Sequence, residues 1–316
     1  MKKVLITGGA GFIGLHLARR LVGRYQVDLV DNFARGENDT DLQAVLRSSD
    51  VHLMQKNLLD DGALKDLGND YVFIYHLAAI IGVAHVAQAP YRVLDENTLL
   101  LSRVIELARR QAALERLVFA STSEVYAGTL EHFGLPFPTP EETPLAVADL
   151  SRPRTTYMLS KIHGEALCHH SQVPFSIVRP HNVYGPRMGN NHVIPELVAR
   201  LSRSSEVKVF SPHHQRVFCY IDDAVALIER IAESREARGG TFNIGSPGPE
   251  ICMKDLAALI ARVMEKNARI VEGEVTQGSP ARRFADIEKT VRLTGHKTWV
   301  GLEEGVRRTY EWYKLK

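Results

Sequence analysis

A glycine-rich stretch near the N-terminus constrains the fold more than any other part of the sequence. Residues 7–14 read TGGAGFIG and follow Val4-Leu5-Ile6, a short apolar run typical of a buried parallel strand. Apolar residues then recur at helical spacing from Phe12 to Arg24. Glycines make room for a tight turn and for a pyrophosphate against backbone N–H groups, which the positive end of a helix also favours. This order of strand, turn and helix predicts a dinucleotide-binding unit.

The same alternation of strand and helix continues through the first half of the chain. Further strand patterns cover Val27 to Val30, Leu53 to Asn57, Tyr71 to Leu77, Leu117 to Ala120, and Phe175 to Arg179. Helical patterns cover Asn97 to Ala113 and Tyr157 to Ser171. They predict an α/β fold of Rossmann type, with a doubly wound parallel sheet that binds ligands at the carboxyl ends of its strands.

Regular alternation weakens in the second half. We expect a domain over residues 1–178 and a smaller α/β substrate lobe over residues 179–316, with an interleaved boundary. The proline-rich and acidic segment from Thr129 to Arg154 predicts a long surface loop of functional importance.

Composition narrows the partners. The formal net charge of the 316 residues is only +2, and no run of about 18 apolar residues occurs, so neither nucleic acid nor a membrane is expected. Three distant cysteines form no disulfide framework and fit a reducing cytoplasm. The adjacent histidine pairs lack the spacing of metal ligands, so no metal is expected.

Asp31 ends the second predicted strand, where a carboxylate can accept both hydroxyl protons of a ribose. The same carboxylate would repel the extra phosphate of NADP, although Arg35 softens that repulsion. The sequence therefore favours NAD as cofactor. From the glycine turn and this acid, we expect NAD to lie against Gly8, Gly11, Phe12, Ile13, Gly14, Asp31 and Asn32.

The chain resembles, from end to end, the extended short-chain dehydrogenase/reductase family in its nucleotide-sugar epimerase/dehydratase branch. The TGGAGFIG stretch, His76-Leu77-Ala78-Ala79 and Asn97 carry the resemblance. It implies further NAD contacts at Leu77, Ala78, Ala79 and Asn97. Relatives bind adenine through an Asp-hydrophobic pair, where this chain has Asn57-Leu58.

Tyr157 and Lys161 are four residues apart and therefore share one face of a helix. A tyrosine pKa near 10 is too high for a base at neutral pH, and a neighbouring lysine and the positive nicotinamide ring would favour the phenolate. The phenolate would accept a proton from a sugar hydroxyl. The resemblance implies that Thr122 is the third catalytic hydroxyl, although it could instead cap backbone groups.

Ser123 and Glu124 distinguish possible reactions. The run Thr122-Ser123-Glu124-Val125-Tyr126 is similar to that of UDP-glucuronate decarboxylases, in which the glutamate lies near the reacting carbon. Glu124 could alternatively be a solvated or ion-paired residue without a chemical role. The segments Ile80 to His85 and Ser151 to Thr156 look more like those of 4-epimerase relatives.

The resemblance also implies a binding site for the sugar nucleotide, which could carry UDP, GDP, CDP or dTDP. Arginines suit phosphate because the guanidinium gives two parallel hydrogen bonds. The predicted substrate contacts are Asn182, His192, Val193, Arg216 and Arg283.

We therefore expect an NAD-dependent nucleotide-sugar epimerase that works through a transient 4-keto sugar. The alternatives are a decarboxylase or dehydratase of the UDP-glucuronate decarboxylase type, a net 4-dehydrogenase that shares the first step, and, more remotely, a non-catalytic NAD(H) sensor. Relatives pair the two long helices across a two-fold axis, which implies a homodimer.

Overall fold

The computed structural model describes residues 1–276 and 279–315, without the side chains of residues 83–85. The strands are β1 Lys3–Thr7, β2 Gln26–Asp31, β3 Val51–Gln55, β4 Tyr71–His76, β5 Arg116–Ala120, β6 Phe175–Pro180, β7 Val183–Tyr184, β8 Glu206–Val209, β9 Gln215–Arg216, β10 Cys219–Tyr220, β11 Thr241–Ile244, β12 Ile251–Cys252, β13 Arg269–Glu272 and β14 Arg282–Arg283. The α-helices are α1 Phe12–Leu21, α2 Thr40–Leu46, α3 Val83–Gln88, α4 Pro90–Arg109, α5 Ala127–Phe133, α6 Pro153–His170, α7 Val193–Arg203, α8 Ile221–Glu233, α9 Met253–Val263, α10 Glu288–Thr294 and α11 Leu302–Lys314. Single 3-10 turns cover Ser123–Tyr126 and Arg235–Ala237.

A seven-stranded parallel sheet organises these elements, in the order β11-β6-β5-β4-β1-β2-β3. Strands β1, β2 and β3 follow one another toward one edge of the sheet, whereas β4, β5 and β6 follow one another toward the other edge. The change in strand order therefore lies between β1 and β4, and ligands bind at such a point in folds of this kind. The α/β prediction is confirmed. Strand β11 comes from the second half of the chain and pairs with β6, while α8 packs against α1. The division at residue 178 stays a proposal, with β11 and α8 as the parts of the second segment that reach the sheet.

Alternation along the central strands separates two apolar layers. Val4 and Ile6 of β1 belong to the layer that includes α1 and α8, whereas Leu5 belongs to the layer that includes α4. All three are fully buried, because successive side chains of a strand point to opposite faces and helices cover both.

Several predicted boundaries are wrong by a few residues. Helix α1 ends at Leu21, before Gly23 with its φ of 78°, and not at Arg24. Strand β3 is Val51–Gln55, two residues before the predicted position. Helices α4 and α6 begin earlier than predicted, at Pro90 and Pro153, because proline fits the first turn of a helix.

The predicted surface loop from Thr129 to Arg154 is also partly wrong. Its first residues lie in α5, Ala127–Phe133, and its last two open α6. The middle of the segment is irregular and is anchored by Thr129, whose hydroxyl donates to the Pro144 carbonyl at 2.6 Å and accepts from the Ala146 N–H at 2.9 Å.

Across residues 1–276 and 279–315, every helix is too short or too polar to span a lipid bilayer.

A buried ion pair joins β6 to α6. The guanidinium of Arg179 donates to both carboxylate oxygens of Glu165, at 2.8 and 2.6 Å, and both residues are nearly inaccessible. Arg179 also donates to the Tyr126 hydroxyl at 2.7 Å, and Ser121 donates to Glu165 at 2.5 Å. These bonds fix α6 against the carboxyl ends of β5 and β6.

We predict that Arg179→Met lowers the free energy of unfolding by about 3–5 kcal/mol, because it leaves the Glu165 carboxylate buried without its partner. Denaturant titration would measure the change. The control is Lys254→Met, which removes an ion pair with Glu272 whose side chains are nearly half exposed and which should cost less than about 1 kcal/mol. Equal losses in the two variants would contradict this account.

Candidate active site

The glycine turn between β1 and α1 has the shape that a dinucleotide phosphate requires. Gly8 has a φ of 72°, and its N–H donates to the Val30 carbonyl at 2.8 Å. A Cβ on Gly14 would collide with the Gly8 carbonyl, so helix and turn pack only with glycine there. Gly11 precedes α1 and supplies no capping side chain. The first N–H groups of α1 are therefore not covered by a capping side chain and suit a phosphate.

Asp31 lies beside this turn, at the carboxyl end of β2. Its carboxylate accepts hydrogen bonds from the N–H of Ala10 at 3.0 Å and of Phe33 at 2.8 Å. Burial raises the pKa of Asp31, although both N–H donors act in the opposite direction. Asn32 accepts from the Ala34 N–H at 3.0 Å and so shapes the next turn. The turn and the carboxylate together fit the pyrophosphate and ribose of NAD.

The other predicted cofactor residues lie along the same edge of the sheet. Leu77 and Ala78 follow β4 and bind to Thr7 at the end of β1. The Leu77 N–H donates to the Thr7 carbonyl at 3.1 Å, and the Ala78 N–H donates to the Thr7 hydroxyl at 3.4 Å. Ala79 comes next in this loop and is half-buried.

Two predicted amides have structural partners of their own. Asn97 is buried in α4; its side chain accepts from the Ile80 N–H at 2.7 Å and donates to the Ile80 carbonyl at 3.0 Å. It therefore fixes the loop after β4. The Asn57 amide donates to Asp60 at 2.9 Å and closes a local turn, while Leu58 is buried. The segment from Ile80 to His85 was expected to resemble that of 4-epimerases, and the side chains of its residues 83–85 lie outside the described part of the structure.

The predicted catalytic set is assembled at the carboxyl end of β5. The Thr122 hydroxyl lies beside Tyr157 and acts to lower its pKa, and its Oγ1 accepts a hydrogen bond from the Glu124 N–H at 3.2 Å. The structure thus shows the backbone-capping role of this hydroxyl, and its catalytic role stays a prediction. Lys161 lies one turn after Tyr157 on α6 and donates to the Ala120 carbonyl at 2.8 Å, with its Nζ 5.9 Å from the centre of the Tyr157 ring.

Burial works against a phenolate in the protein alone. Loss of solvent raises the pKa of Tyr157 to about 12, despite the opposing effect of Thr122. Burial likewise lowers the pKa of Lys161 to about 8. The prediction that Lys161 and the nicotinamide ring together favour the phenolate stays a prediction for the cofactor-bound protein. Further positive charge is needed near Tyr157, and the ring of NAD⁺ would supply it.

Three arginines lie around Glu124, and we call them the arginine cluster: Arg154, Arg216 and Arg283. Strands β9 and β14 pair in parallel with Arg216 directly opposite Arg283. Arg283 donates to Glu124 at 2.7 Å, and Arg154, from the first turn of α6, donates to it at 3.3 Å. Arg216 donates to the Pro280 carbonyl at 2.7 Å and to the Ser279 hydroxyl at 3.2 Å. Ser123 is buried beside the cluster.

The positive charge of the arginine cluster exceeds the negative charge of Glu124. Burial by itself would raise the pKa of Glu124, but Arg283 and Arg154 outweigh it and hold that pKa below its ordinary value. Burial, followed by repulsion from Arg283, lowers the pKa of Arg216 to about 10. Three guanidinium groups beside one carboxylate make this region suited to an anionic ligand.

The remaining predicted substrate residues lie on neighbouring segments. Asn182, with a φ of 42°, donates through its side chain to the Val217 carbonyl at 2.9 Å and so joins the end of β6 to the segment after β9. His192 is exposed and immediately precedes α7, and Val193 is its first residue. No hydrogen bond of the described residues connects His192 or Val193 to the arginine cluster.

Two arginines of this region were not predicted as site residues. Arg154 precedes Tyr157 by three positions, a spacing that places both on one side of a helix and could have revealed it. Arg187 is buried and donates to the Ala10 carbonyl in the glycine turn and to Asp39, both at 2.7 Å. It ties the segment after β7 to the cofactor turn, a contact between positions so distant in sequence that no local pattern shows it.

Within the described ranges, no three histidine, cysteine, aspartate or glutamate side chains come together as a metal site.

Comparison with known proteins shows the family to which the chain belongs. The model of the NAD dependent epimerase/dehydratase family matches residues 4–245. A UDP-N-acetyl-alpha-D-glucosaminuronate decarboxylase of Bacillus cytotoxicus is 30% identical, over 99% of this chain and 98% of that protein. UDP-glucuronic acid decarboxylase 6 of Arabidopsis thaliana is also 30% identical, over 99% of this chain and 89% of that protein.

A solved structure of UDP-glucuronic acid 4-epimerase from Bacillus cereus, in complex with UDP-glucuronic acid and NAD, superposes with a TM-score of 0.83. Its sequence is 26% identical, and the match covers 99% of each chain. The family match confirms the predictions of an enzyme and of NAD as its cofactor. The chain belongs to the NAD dependent epimerase/dehydratase family.

Proposed function

We propose that this protein decarboxylates a UDP-hexuronate, with oxidation at C4 as the first step. The observation that carries the proposal is the position of Glu124 and its arginine cluster beside Thr122 and Tyr157. A neutral hexose offers no anionic group for this surplus of positive charge beyond its diphosphate. A hexuronate brings a carboxylate as well.

In the first step, Tyr157 accepts the proton of the C4 hydroxyl, and Thr122 hydrogen-bonds to the same oxygen. NAD, bound against the glycine turn and Asp31, supplies the hydride chemistry at C4. Lys161 holds its charge below about pH 8 and, together with the bound cofactor, favours the phenolate.

In the second step, the C4 ketone lies β to the C6 carboxylate. The bond between C5 and C6 breaks, its electrons pass to the ketone oxygen, and carbon dioxide leaves. Thr122 and protonated Tyr157 donate hydrogen bonds to the resulting enolate oxygen. A proton then adds to C5 and restores the ketone, which is reduced at C4. The net change is one proton taken up and one carbon dioxide released.

Glu124 and Arg283 are the groups that we assign to the second step. The two side chains are joined by a direct hydrogen bond. The Arg283 guanidinium would orient the departing carboxylate, and Glu124 would relay the proton to C5. Arg154 and Arg216 keep the site positive while a second carboxylate enters beside Glu124.

This proposal differs from the simple epimerase that the sequence favoured. The two curated relatives described above are both decarboxylases of UDP-hexuronates, which supports the sequence-based alternative over the main expectation. Epimerisation at C4 remains the second candidate because the solved UDP-glucuronic acid 4-epimerase matches nearly the whole chain. Membership in a family of enzymes argues against the non-catalytic sensor.

A homodimer is part of the same proposal. Tyr91 and Leu99 of α4 are 75% and 40% exposed, and α4 packs against α6 within the chain. Exposed apolar side chains on α4 suit association with a second copy. Light scattering should give twice the 35.3 kDa mass of one chain.

We predict that UDP-glucuronate incubated with the protein and NAD loses carbon dioxide, as followed by mass spectrometry. Glu124→Gln should lower the rate of that loss by about 100-fold or more, the usual scale for removal of an acid–base group. Oxidation at C4 should persist in this variant, so enzyme-bound NADH should accumulate.

Glu142→Gln is the matched control, because Glu142 is an exposed glutamate on the irregular segment between α5 and α6 and forms an ion pair with Lys289. It should decarboxylate at the wild-type rate. A product of unchanged mass with a new retention time would instead establish the epimerase.

We also predict that kcat/KM falls as the pH rises through about 8, because Lys161 is charged below that pH and neutral above it. In Lys161→Arg the guanidinium stays charged, so the alkaline decline should move up by more than one pH unit, even if the maximal rate is lower. An alkaline decline at the same pH in both proteins would show that another group causes it.

A further inference from the structure

A single buried arginine from the second half of the chain contacts the elements that face the predicted cofactor site. Arg187 follows β7, and its side chain is 5% exposed. Its backbone φ of 68° lies in the left-handed region, which residues with a side chain rarely adopt. Such a conformation persists only where the surrounding contacts compensate for it, and it is frequent at functional sites. The partners of the guanidinium therefore indicate the role of this position.

Two of these partners are carbonyls of the glycine turn. One nitrogen of Arg187 donates to the Ala10 carbonyl at 2.7 Å and to the Gly11 carbonyl at 3.3 Å. Because the C=O and N–H of a trans peptide lie on opposite sides, the second bond orients the N–H of Phe12, the first residue of α1, away from the guanidinium. The Ala10 N–H donates to Asp31 at 3.0 Å. Arg187 thus fixes the peptides between the predicted pyrophosphate and ribose contacts.

The other partners lie on the loop between β2 and α2. Arg187 donates to the Glu37 carbonyl and to the Asp39 carboxylate, both at 2.7 Å. Asp39 uses its second oxygen to cap α2, where it accepts from the Leu42 N–H at 2.9 Å. Burial alone would raise the pKa of Asp39, but Arg187 and the Leu42 N–H outweigh it and hold that pKa below its ordinary value. The ion pair is largely shielded from solvent, so salt screens it little.

The proposed reaction requires the cofactor to stay bound from beginning to end. The hydride that leaves C4 must return to C4, so a reduced cofactor that dissociated early would leave the sugar as a ketone. Arg187 joins both walls of the predicted pyrophosphate and ribose site to the segment that leads to His192 and α7. The substrate lobe therefore contributes to the shape of the cofactor site.

We propose that Arg187 is a positioning residue that retains NAD on the protein, because it fixes the glycine turn and the loop after β2 in the shape that binds the pyrophosphate and the ribose. The need for retention rests on the function proposed above, whereas the contribution to NAD affinity does not. Arg187 acts through Ala10, Gly11 and Asp39 and takes no part in the reaction at C4.

Calorimetric titration of the nucleotide-free protein with NAD and with ADP-ribose tests the proposal. ADP-ribose has the pyrophosphate and the adenosine ribose but lacks the nicotinamide. Arg187→Met should weaken the binding of both ligands about 10- to 100-fold, the scale of a hydrogen bond made by a charged group. Dissociation of NADH, followed by its fluorescence, should become faster. Arg187→Lys keeps the positive charge and should recover part of the affinity.

Asp39→Asn is a milder second variant, because asparagine can still cap α2 while the ion pair with Arg187 is lost. It should weaken NAD binding in the same direction and by less, and it decides the question if Arg187→Met does not fold. Arg200→Met is the control, since Arg200 is a partly exposed arginine of α7 that pairs with Glu196. This control should bind NAD as the wild type does.

Unchanged affinities for NAD and ADP-ribose in the Arg187 and Asp39 variants would overturn the proposal. A loss confined to NAD would overturn it too, because the effect would then lie at the nicotinamide end. With a UDP-hexuronate, Arg187→Met should release NADH and a 4-keto sugar nucleotide beside the UDP-pentose. If the variant loses NAD affinity and yet neither it nor the wild type releases carbon dioxide, the assignment of Arg187 stands and the decarboxylase proposal fails.

Discussion

The hydrogen bond between Glu124 and Arg283 joins two parts of the chain that are 159 residues apart. Glu124 follows the central strand β5, whereas Arg283 lies on the short strand β14, which is attached to the second half of the molecule. The parallel pairing of β14 with β9 brings Arg216 to the same place, and the first turn of α6 adds Arg154. The pair therefore joins the strand that leads to the predicted catalytic residues with the arginines that we expect to hold the substrate. Three guanidinium groups beside the single Glu124 carboxylate support the proposal of an anionic ligand.

Burial determines the charge of the two residues predicted to act on the sugar hydroxyl, Tyr157 and Lys161. Removal from solvent raises the pKa of Tyr157 and lowers that of Lys161, which opposes the charged form of each group. The tyrosine is therefore a poor base until a bound cation acts on it. Binding of NAD⁺ to the glycine turn would couple cofactor loading to activation of Tyr157, and the enzyme would not deprotonate a sugar that it could not oxidise.

Much of the fold follows from local patterns, since a buried parallel strand, a glycine turn and an amphipathic helix each leave a periodic signal. Asp31, Tyr157 and Lys161 could be placed because their spacing from those elements is fixed. The beginning of α4 could not, because Pro90 is compatible with either a helix or a turn. The arginine cluster depends on the register between two strands of two residues each, too short for any pattern.

In the proposed reaction, the sugar oxidised at C4 loses its C6 carboxylate beside Glu124 and gains a proton at C5. Nuclear magnetic resonance of the product formed from a UDP-hexuronate in D₂O would locate that proton. We expect a UDP-pentose with one deuterium at C5 and none at C4, because the C5 proton comes from solvent and the C4 hydrogen returns as hydride. A six-carbon product, inverted at C4 and free of deuterium, would contradict it.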